Sequence, residues 1–65
     1  MLTPFQAINL VEGVEEEEYE GQVIEAWQYL HDTRVAYQLQ GSIGRACRDL
    51  LREGSISDHN VIILN

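Results

Sequence analysis

Apolar side chains recur at helical spacing in three stretches of the chain. The apolar residues of the first stretch share one helical face and are Phe5, Ala7, Ile8 and Val11. Thr3 is a suitable N-cap, and Pro4 suits the first helical position, where its missing N–H would have no partner in any case. Gly13 is a plausible stop. This pattern predicts a helix over residues 4–12.

The second stretch also presents its apolar residues on one face, at Tyr19, Val23, Ala26, Trp27 and Leu30. The spacing predicts a helix over residues 16–31. Gly21 weakens such a helix by about 1 kcal/mol relative to alanine, which leaves a later start near Gln22 open. We interpret Trp27 as a core anchor on this face.

The third stretch has two residue classes on opposite faces. Within an arc of about 120° lie the apolar residues Val35, Ala36, Leu39, Ile43, Ala46, Cys47 and Leu50. Opposite them, within about 60°, lie all four arginines of the chain, Arg34, Arg45, Arg48 and Arg52. This segregation predicts one amphipathic helix over residues 33–53. The alternative is a break at Gly41, with Ser42 capping a shorter helix, because Gly41 and Gly44 together cost about 2 kcal/mol of helix propensity.

The chain continues past Gly54, a plausible helix stop, into a short tail that ends in four branched residues, Val61, Ile62, Ile63 and Leu64. Such a run favours extended structure, and a single strand is not stable alone. We expect the tail to pack across the helices or to pair with another chain. The predicted fold is therefore all-α, a small three-helix bundle forming one domain over residues 1–65, with a short C-terminal tail for which an extended conformation is favoured.

The distribution of charged residues makes some classes of function less favoured than others. The net charge is -7, and residues 1–33 hold eight acids and no base. Phosphate backbones require a basic surface, so a nucleic-acid-binding regulator is the least favoured class. The first residues do not have the pattern of a signal peptide, no apolar run is long enough for a bilayer, and the one cysteine fits a reducing compartment. We expect a cytoplasmic protein without membrane contact.

The densest charge is a run of glutamates at Glu15, Glu16, Glu17, Glu18 and Glu20. One interpretation is a solvated stretch that keeps a small domain soluble. The other is an acidic surface that binds a basic protein, either by imitating nucleic acid or by masking a DNA-binding face. Calcium binding is disfavoured because the EF-hand loop pattern is absent.

Three further features are candidates for partner binding. The arginine stripe is either a solvated face, paired with acids, or a docking ridge, since arginine is enriched at interface hot spots. Tyr29 and Tyr37 lie off the apolar stripes and are candidate interface aromatics. Gly41 and Gly44, together with the branched residues of the tail, are candidates for self-association, and a local bend is the alternative for the glycines.

Catalysis has weak support. Cys47 with His31 or His59 are residue types of a nucleophile and a base, but no oxyanion site is evident. A chain of this length is also too small to enclose a substrate pocket of about 300 Å³. We interpret Cys47 as a small core residue and expect no enzyme activity, no metal and no cofactor.

Three blocks of the sequence resemble a family of short uncharacterised proteins encoded by tailed bacteriophages. The blocks follow the pattern A-W-Q-x-L-x-D-T, then L-Q-G-x-x-G-R, then a leucine pair and a glycine, and lie at residues 26–33, 39–45 and 50–54. After the Asp-Thr, where glycine is common in that pattern, this chain has Arg34. After the L-Q-G, where an aromatic is common, it has Ser42. The resemblance implies a virus-encoded protein acting in a bacterial cytoplasm, and it implies no activity.

These observations predict a small acidic phage-encoded module that binds a protein, such as a host or phage enzyme, and modulates its assembly. It would act through the acidic surface and the amphipathic helix, as an inhibitor or as an assisting factor. The alternative is a structural or obligately homo-oligomeric phage protein without a host-enzyme target.

Overall fold

The computed structural model describes residues 2–39 and 41–58, which form three α-helices and one 3₁₀ turn. In chain order the elements are α1 (Pro4–Val11), α2 (Gln22–Asp32), the 3₁₀ turn (Val35–Tyr37) and α3 (Ser42–Glu53). The described ranges contain no strand, and the predicted all-α three-helix bundle is confirmed. No helix in these ranges has the length and apolar character needed to cross a bilayer. The predicted tail residues Val61, Ile62, Ile63 and Leu64 lie outside them, as does His59.

Helix α1 follows its prediction to within one residue. The Thr3 hydroxyl accepts a hydrogen bond of 3.1 Å from the Gln6 N–H, so it caps the helix as expected. Pro4 occupies the first turn. Gly13 follows the helix with a φ of +79°, a left-handed conformation that glycine adopts without strain.

Helix α2 begins at Gln22, so the predicted start at residue 16 is wrong and the later start is confirmed. Gly21 precedes the helix with a φ of +96°, outside the helical range. The glutamate-rich loop caps the helix instead of extending it. The Glu17 carboxylate accepts a 2.9 Å hydrogen bond from the Val23 N–H, where a negative charge also meets the positive end of the helix dipole.

The predicted continuous helix over residues 33–53 is wrong, because the chain breaks between the 3₁₀ turn and α3. Arg34 enters the turn with a φ of +66°, and Gly41 precedes α3 with a φ of +102°. Neither angle is helical. The break at Gly41 was the alternative, but Ser42 is the first helical residue and Gly41 holds the cap position.

Gly44 lets the 3₁₀ turn lie directly on α3. A Cβ atom at this position would stand 3.0 Å from the Ala36 carbonyl oxygen, closer than a side chain tolerates without movement of the backbone. The space that this glycine leaves is therefore filled within the chain, by the 3₁₀ turn, and self-association through Gly44 stays a prediction.

The core is small and consists of the buried residues Ala7, Leu10, Ala26, Leu30, Ala36, Cys47 and Ile56. Leu30 and Cys47 are the largest of the fully buried side chains, which confirms Cys47 as a core residue. Trp27 is partly buried and packs against this cluster. Three short helices with so few buried side chains need further fixation, which polar contacts supply.

The segment after α3, residues 54–58, folds back onto α2, and we call it the C-terminal strap. Ile56 is its buried anchor, with 4% of its surface exposed. The Gln28 side chain on α2 then holds the backbone of Ser57 from both sides. Its amide nitrogen donates to the Ser57 carbonyl at 2.7 Å, and its carbonyl accepts from the Ser57 N–H at 2.9 Å.

Arg34 is the only non-glycine residue with positive φ in the described ranges, and it stands where the phage pattern commonly has glycine. A left-handed conformation costs a residue with a side chain about 1–2 kcal/mol that glycine does not lose. We expect the free energy of unfolding of Arg34→Gly to be about 1 kcal/mol higher than that of Arg34→Ala. Both variants lack the guanidinium, so they differ mainly in backbone strain. Urea denaturation measures the difference, and equal stabilities would show that the backbone here is unstrained.

Candidate functional site

An open groove of about 510 Å³ lies between α2, the loop before it and the N-terminal segment. The α2 residues of its lining follow one helical face and are Gln22, Glu25, Gln28, Tyr29 and Asp32. The loop adds Glu18 and Tyr19, and Leu2 and Gln6 form part of the opposite wall. We call this feature the acidic groove.

The acidic groove carries three carboxylates, and no basic residue is among its lining residues. The arginines are occupied elsewhere or exposed. In the described part of the chain, Arg34 lies 3.9 Å from Asp58 and Arg52 lies 3.7 Å from Asp49, and no arginine pairs with an acid of residues 2–33. No basic side chain therefore lines the groove in the described part of the chain, and a concave acidic surface attracts cations.

Tyr19 fixes the loop wall of the groove to its helical floor. Its hydroxyl donates to the Glu25 carboxylate, whose two oxygens lie 2.8 and 2.7 Å away. This hydrogen bond, with a smaller effect of burial, raises the pKa of Tyr19 above its ordinary value. The ring remains about half exposed, with a relative surface of 52%.

The glutamate run divides into two groups. Glu17 caps α2, and the Glu15 carboxylate accepts a 3.3 Å hydrogen bond from the Gln6 amide, so these two hold the fold together. The carboxylates of Glu16, Glu18 and Glu20 are exposed and make no hydrogen bond or ion pair with another described residue. Only this second group is available to a partner. Within residues 2–39 and 41–58, no three acidic, histidine or cysteine side chains lie close enough to hold a metal ion.

A second polar feature, the buried network, lies beneath the C-terminal strap. His31 is 2% exposed and uses both ring nitrogens. Nε2 lies 2.8 Å from an Asp58 carboxylate oxygen, and Nδ1 lies 2.6 Å from the Tyr37 hydroxyl. The Tyr37 hydroxyl lies in turn 3.5 Å from Cys47 Sγ. The network joins α2, the 3₁₀ turn, α3 and the strap.

The chemistry of the buried network favours a structural role over a catalytic one. The Asp58 carboxylate accepts a hydrogen bond from His31 Nε2–H, and the Tyr37 hydroxyl bonds both His31 Nδ1 and the Cys47 sulfur. Burial, and then the hydrogen bond to Cys47, raise the pKa of Tyr37 to about 12, the opposite of an activated phenol. The Cys47 sulfur has no exposed surface. His31 and Cys47 are joined through Tyr37 rather than in direct contact, and the absence of enzyme activity stays a prediction.

The structure separates the predicted arginine stripe. Arg45, Arg48 and Arg52 are exposed on α3, while Arg34 lies in the turn before the 3₁₀ segment, close to Asp58. The Arg48 guanidinium carbon stands 5.6 Å from the centre of the Tyr37 ring, a cation–π distance. A single four-arginine ridge is therefore wrong, because it required a continuous helix.

The candidate aromatics have different positions. Tyr29 lines the acidic groove, and its role at an interface stays a prediction. Tyr37 is half-buried in the network, so its hydroxyl is committed inside the chain. Sequence reasoning missed Gln22, Glu25 and Asp58. The helical spacing of Gln22 and Glu25 was a usable signal for the first two, whereas Asp58 had none.

The raised pKa of Tyr37 has a measurable consequence. Its phenol should ionise near pH 12 in the folded chain instead of at 10.0, and Tyr37→Phe should remove that late step. In the unfolded chain the phenol ionises at its ordinary pKa, so this contribution to stability is complete below pH 10 and is lost as the pH rises toward 12. Ultraviolet absorbance follows the ionisation while circular dichroism confirms folding. Ionisation of every phenol near pH 10 in the folded chain would contradict the network.

Comparison of the chain with protein-family models, with curated proteins and with solved structures found no match in any of the three. The resemblance to the short phage proteins therefore stays a prediction that rests on the three sequence blocks alone.

Proposed function

We propose that this chain is a small acidic module that binds a basic surface of another protein and thereby modulates a host or phage assembly. The observation that supports this most strongly is the acidic groove, which has three carboxylates and no basic residue in its lining. Acids gathered in a lining without a base repel one another, which costs stability. A cationic partner would relieve that repulsion.

The surroundings of the groove suit a protein partner. The loop before α2 carries the exposed carboxylates of Glu16 and Glu20 beside apolar surface, with Val14 73% and Tyr19 52% exposed. Protein interfaces combine aromatic and apolar anchors with a polar rim. The floor of the groove is one face of α2, so most of its side chains are presented by a rigid element. A phage setting, and inhibition or assistance as the outcome, are parts of this proposal that follow from the sequence resemblance.

Capture of protein partners tests the proposal. The immobilised chain is exposed to bacterial lysate, and a Glu18→Gln/Glu20→Gln variant, which removes one groove carboxylate and one loop carboxylate, is compared with an Asp49→Asn/Glu53→Gln control that loses the same charge from α3. The side chains of these two glutamates make no hydrogen bond or ion pair with a described residue, so the fold should persist. We expect the loop variant to capture at least about tenfold less partner than the natural chain does, and the α3 control to capture as much as the natural chain. Equal capture by both variants would reject an acidic binding surface.

Self-association is the second candidate, favoured by the exposure of Phe5 and Ile24, at 76% and 43%. It predicts a mass by light scattering above the 7.4 kDa of one chain. A monomer at micromolar concentration would remove this candidate and leave the acidic module.

A further inference from the structure

We infer that the buried network takes up a proton at His31 by reversing the direction of its hydrogen bonds, so that a charged ring is held beneath the C-terminal strap and the strap stays in place. Histidine is the side chain whose charge ordinarily changes between about pH 5 and 8. His31 is 2% exposed, and each ring nitrogen has one hydrogen-bonding neighbour, Asp58 at Nε2 and Tyr37 at Nδ1. None of these residues lines the acidic groove, so this property is separate from the proposed binding surface.

With a neutral ring, the hydrogen bonds run toward Nδ1. The Nε2–H donates to the Asp58 carboxylate over 2.8 Å. Nδ1 then carries a lone pair, and the Tyr37 hydroxyl donates to it over 2.6 Å. Burial, and then the hydrogen bond to Cys47, hold the pKa of Tyr37 at about 12, so this hydroxyl keeps its proton throughout the range in which a histidine ring titrates. The Tyr37 oxygen accepts in turn from the Cys47 thiol, whose sulfur lies 3.5 Å away.

With a charged ring, the same atoms pair in the opposite direction. Both ring nitrogens then donate, Nε2–H to Asp58 and Nδ1–H to the Tyr37 oxygen. The Tyr37 hydroxyl turns its proton to the Cys47 sulfur, and the Cys47 thiol turns its proton to the Trp27 carbonyl oxygen, 3.9 Å from the sulfur. The one proton gained comes from water and stays on Nδ1, while the hydroxyl and the thiol only rotate.

Both states therefore satisfy the network without movement of a heavy atom. In the described part of the chain every buried side-chain nitrogen or oxygen has a hydrogen-bond partner, and the reversal preserves this condition. A buried donor left without a partner would cost about 1–3 kcal/mol, and more if it were charged. Because the relay supplies an acceptor for Nδ1–H, protonation of the ring does not require the strap to open.

The charges near the ring also suit a proton. The titratable and charged groups that face it or its partners are Asp58, Arg34, Tyr37, Cys47 and Arg48. The Asp58 carboxylate favours the charged ring, whereas burial and the nearby Arg34, 3.9 Å from the same carboxylate, oppose it. The α2 carboxylates Glu25 and Asp32 line the acidic groove. A charge-assisted hydrogen bond is about twice as strong as a neutral one, so protonation strengthens the contact between His31 and the strap.

Nuclear magnetic resonance of the full-length chain, labelled with ¹³C and ¹⁵N, follows the relay from about pH 8 to about pH 5. We expect the neutral His31 ring to carry its proton on Nε2, which the ring ¹⁵N shifts distinguish. The Cys47 ¹³Cβ and Trp27 carbonyl ¹³C signals should then move with the same midpoint as the ring. The Ser57 N–H, held by Gln28, should keep its protection from hydrogen exchange throughout.

Tyr37→Phe separates the relay from a through-space effect of the ring charge. This variant lacks the hydroxyl that joins His31 to Cys47, and circular dichroism checks that it folds. We expect its His31 ring to titrate while the accompanying shift at Cys47 is at least about fivefold smaller than in the natural chain. Tyr29→Phe, a matched loss of a hydroxyl outside the network, should leave the coupled shift unchanged.

Four results would overturn the inference. They are a neutral ring protonated on Nδ1, a ring that stays neutral down to about pH 5, Cys47 signals that stay still or move equally in Tyr37→Phe, and loss of the Ser57 protection at the midpoint of the ring titration. The last result would show that the proton releases the strap. If Tyr37→Phe does not fold, the ring tautomer and the Cys47 titration of the natural chain still decide between the two outcomes.

Discussion

Replacing His31 by alanine is expected to lower the free energy of unfolding by about 3 kcal/mol. The ring is 2% exposed, so its removal leaves a cavity in the core. It also leaves the half-buried Tyr37 hydroxyl without its 2.6 Å partner and detaches Asp58 of the C-terminal strap. A domain of this size has only about 3–5 kcal/mol of stability to lose, so most of the variant should be unfolded at room temperature.

Urea denaturation followed by Trp27 fluorescence measures this effect. Asp58→Asn keeps an acceptor for His31 and removes the charge, so it should cost about 1 kcal/mol. Asp49→Asn removes an acid of an exposed pair with Arg52 on α3 and should cost about 0–1 kcal/mol. A His31→Ala variant as stable as Asp49→Asn would mean that the buried network does not hold the strap.

Reversing two charges of the acidic groove, by Glu18→Lys with Glu25→Lys, is expected to weaken partner binding by at least about 100-fold. The lining carboxylates would change from three acids to one acid and two bases, so attraction for a cationic segment would become repulsion. Both glutamates are exposed, and the described contact that is lost is the hydrogen bond from Tyr19 to Glu25. The fold should therefore persist, as circular dichroism would show.

The captured partner from the lysate experiment, once purified, provides the affinity for this comparison. The matched control reverses two charges on α3, by Asp49→Lys with Glu53→Lys, and should bind within about twofold of the natural chain. A loss of affinity in the control equal to that in the groove variant would show that overall charge, and not the acidic groove, governs binding.

The first residues of the helices show what a local sequence pattern can predict. Thr3 and Pro4 carry a complete start signal within four residues, and α1 begins where they predict. The prediction of one continuous third helix was wrong because a helical wheel records only the angle of each residue around the axis. It does not show whether the helix is interrupted. In the 3₁₀ turn, Ala36 is buried and Val35 packs against the core, while Ile43 and Leu50 pack against it from α3. Both segments keep the apolar face that one continuous helix would have.

Only part of the candidate site could be predicted from the sequence. The glutamate run is a local feature, so the exposure of most of its side chains was predictable, although the capping by Glu17 depends on where α2 begins. The acidic groove requires Glu18 of the loop and Glu25 of α2 to line one space, and the chain turns between them at Gly21, whose φ is +96°. The buried network joins His31 to Asp58 across 27 positions, a separation over which no sequence periodicity acts.

The footprint of the purified partner on the ¹⁵N-labelled chain tests the central claim most directly. If the acidic groove is the binding surface, backbone signals should shift in the loop before α2 and along the α2 face that carries Gln22, Glu25 and Tyr29. The signals of Arg45, Arg48 and Arg52 on α3 should remain in place. A footprint centred on α3, with the groove signals unmoved, would contradict the account.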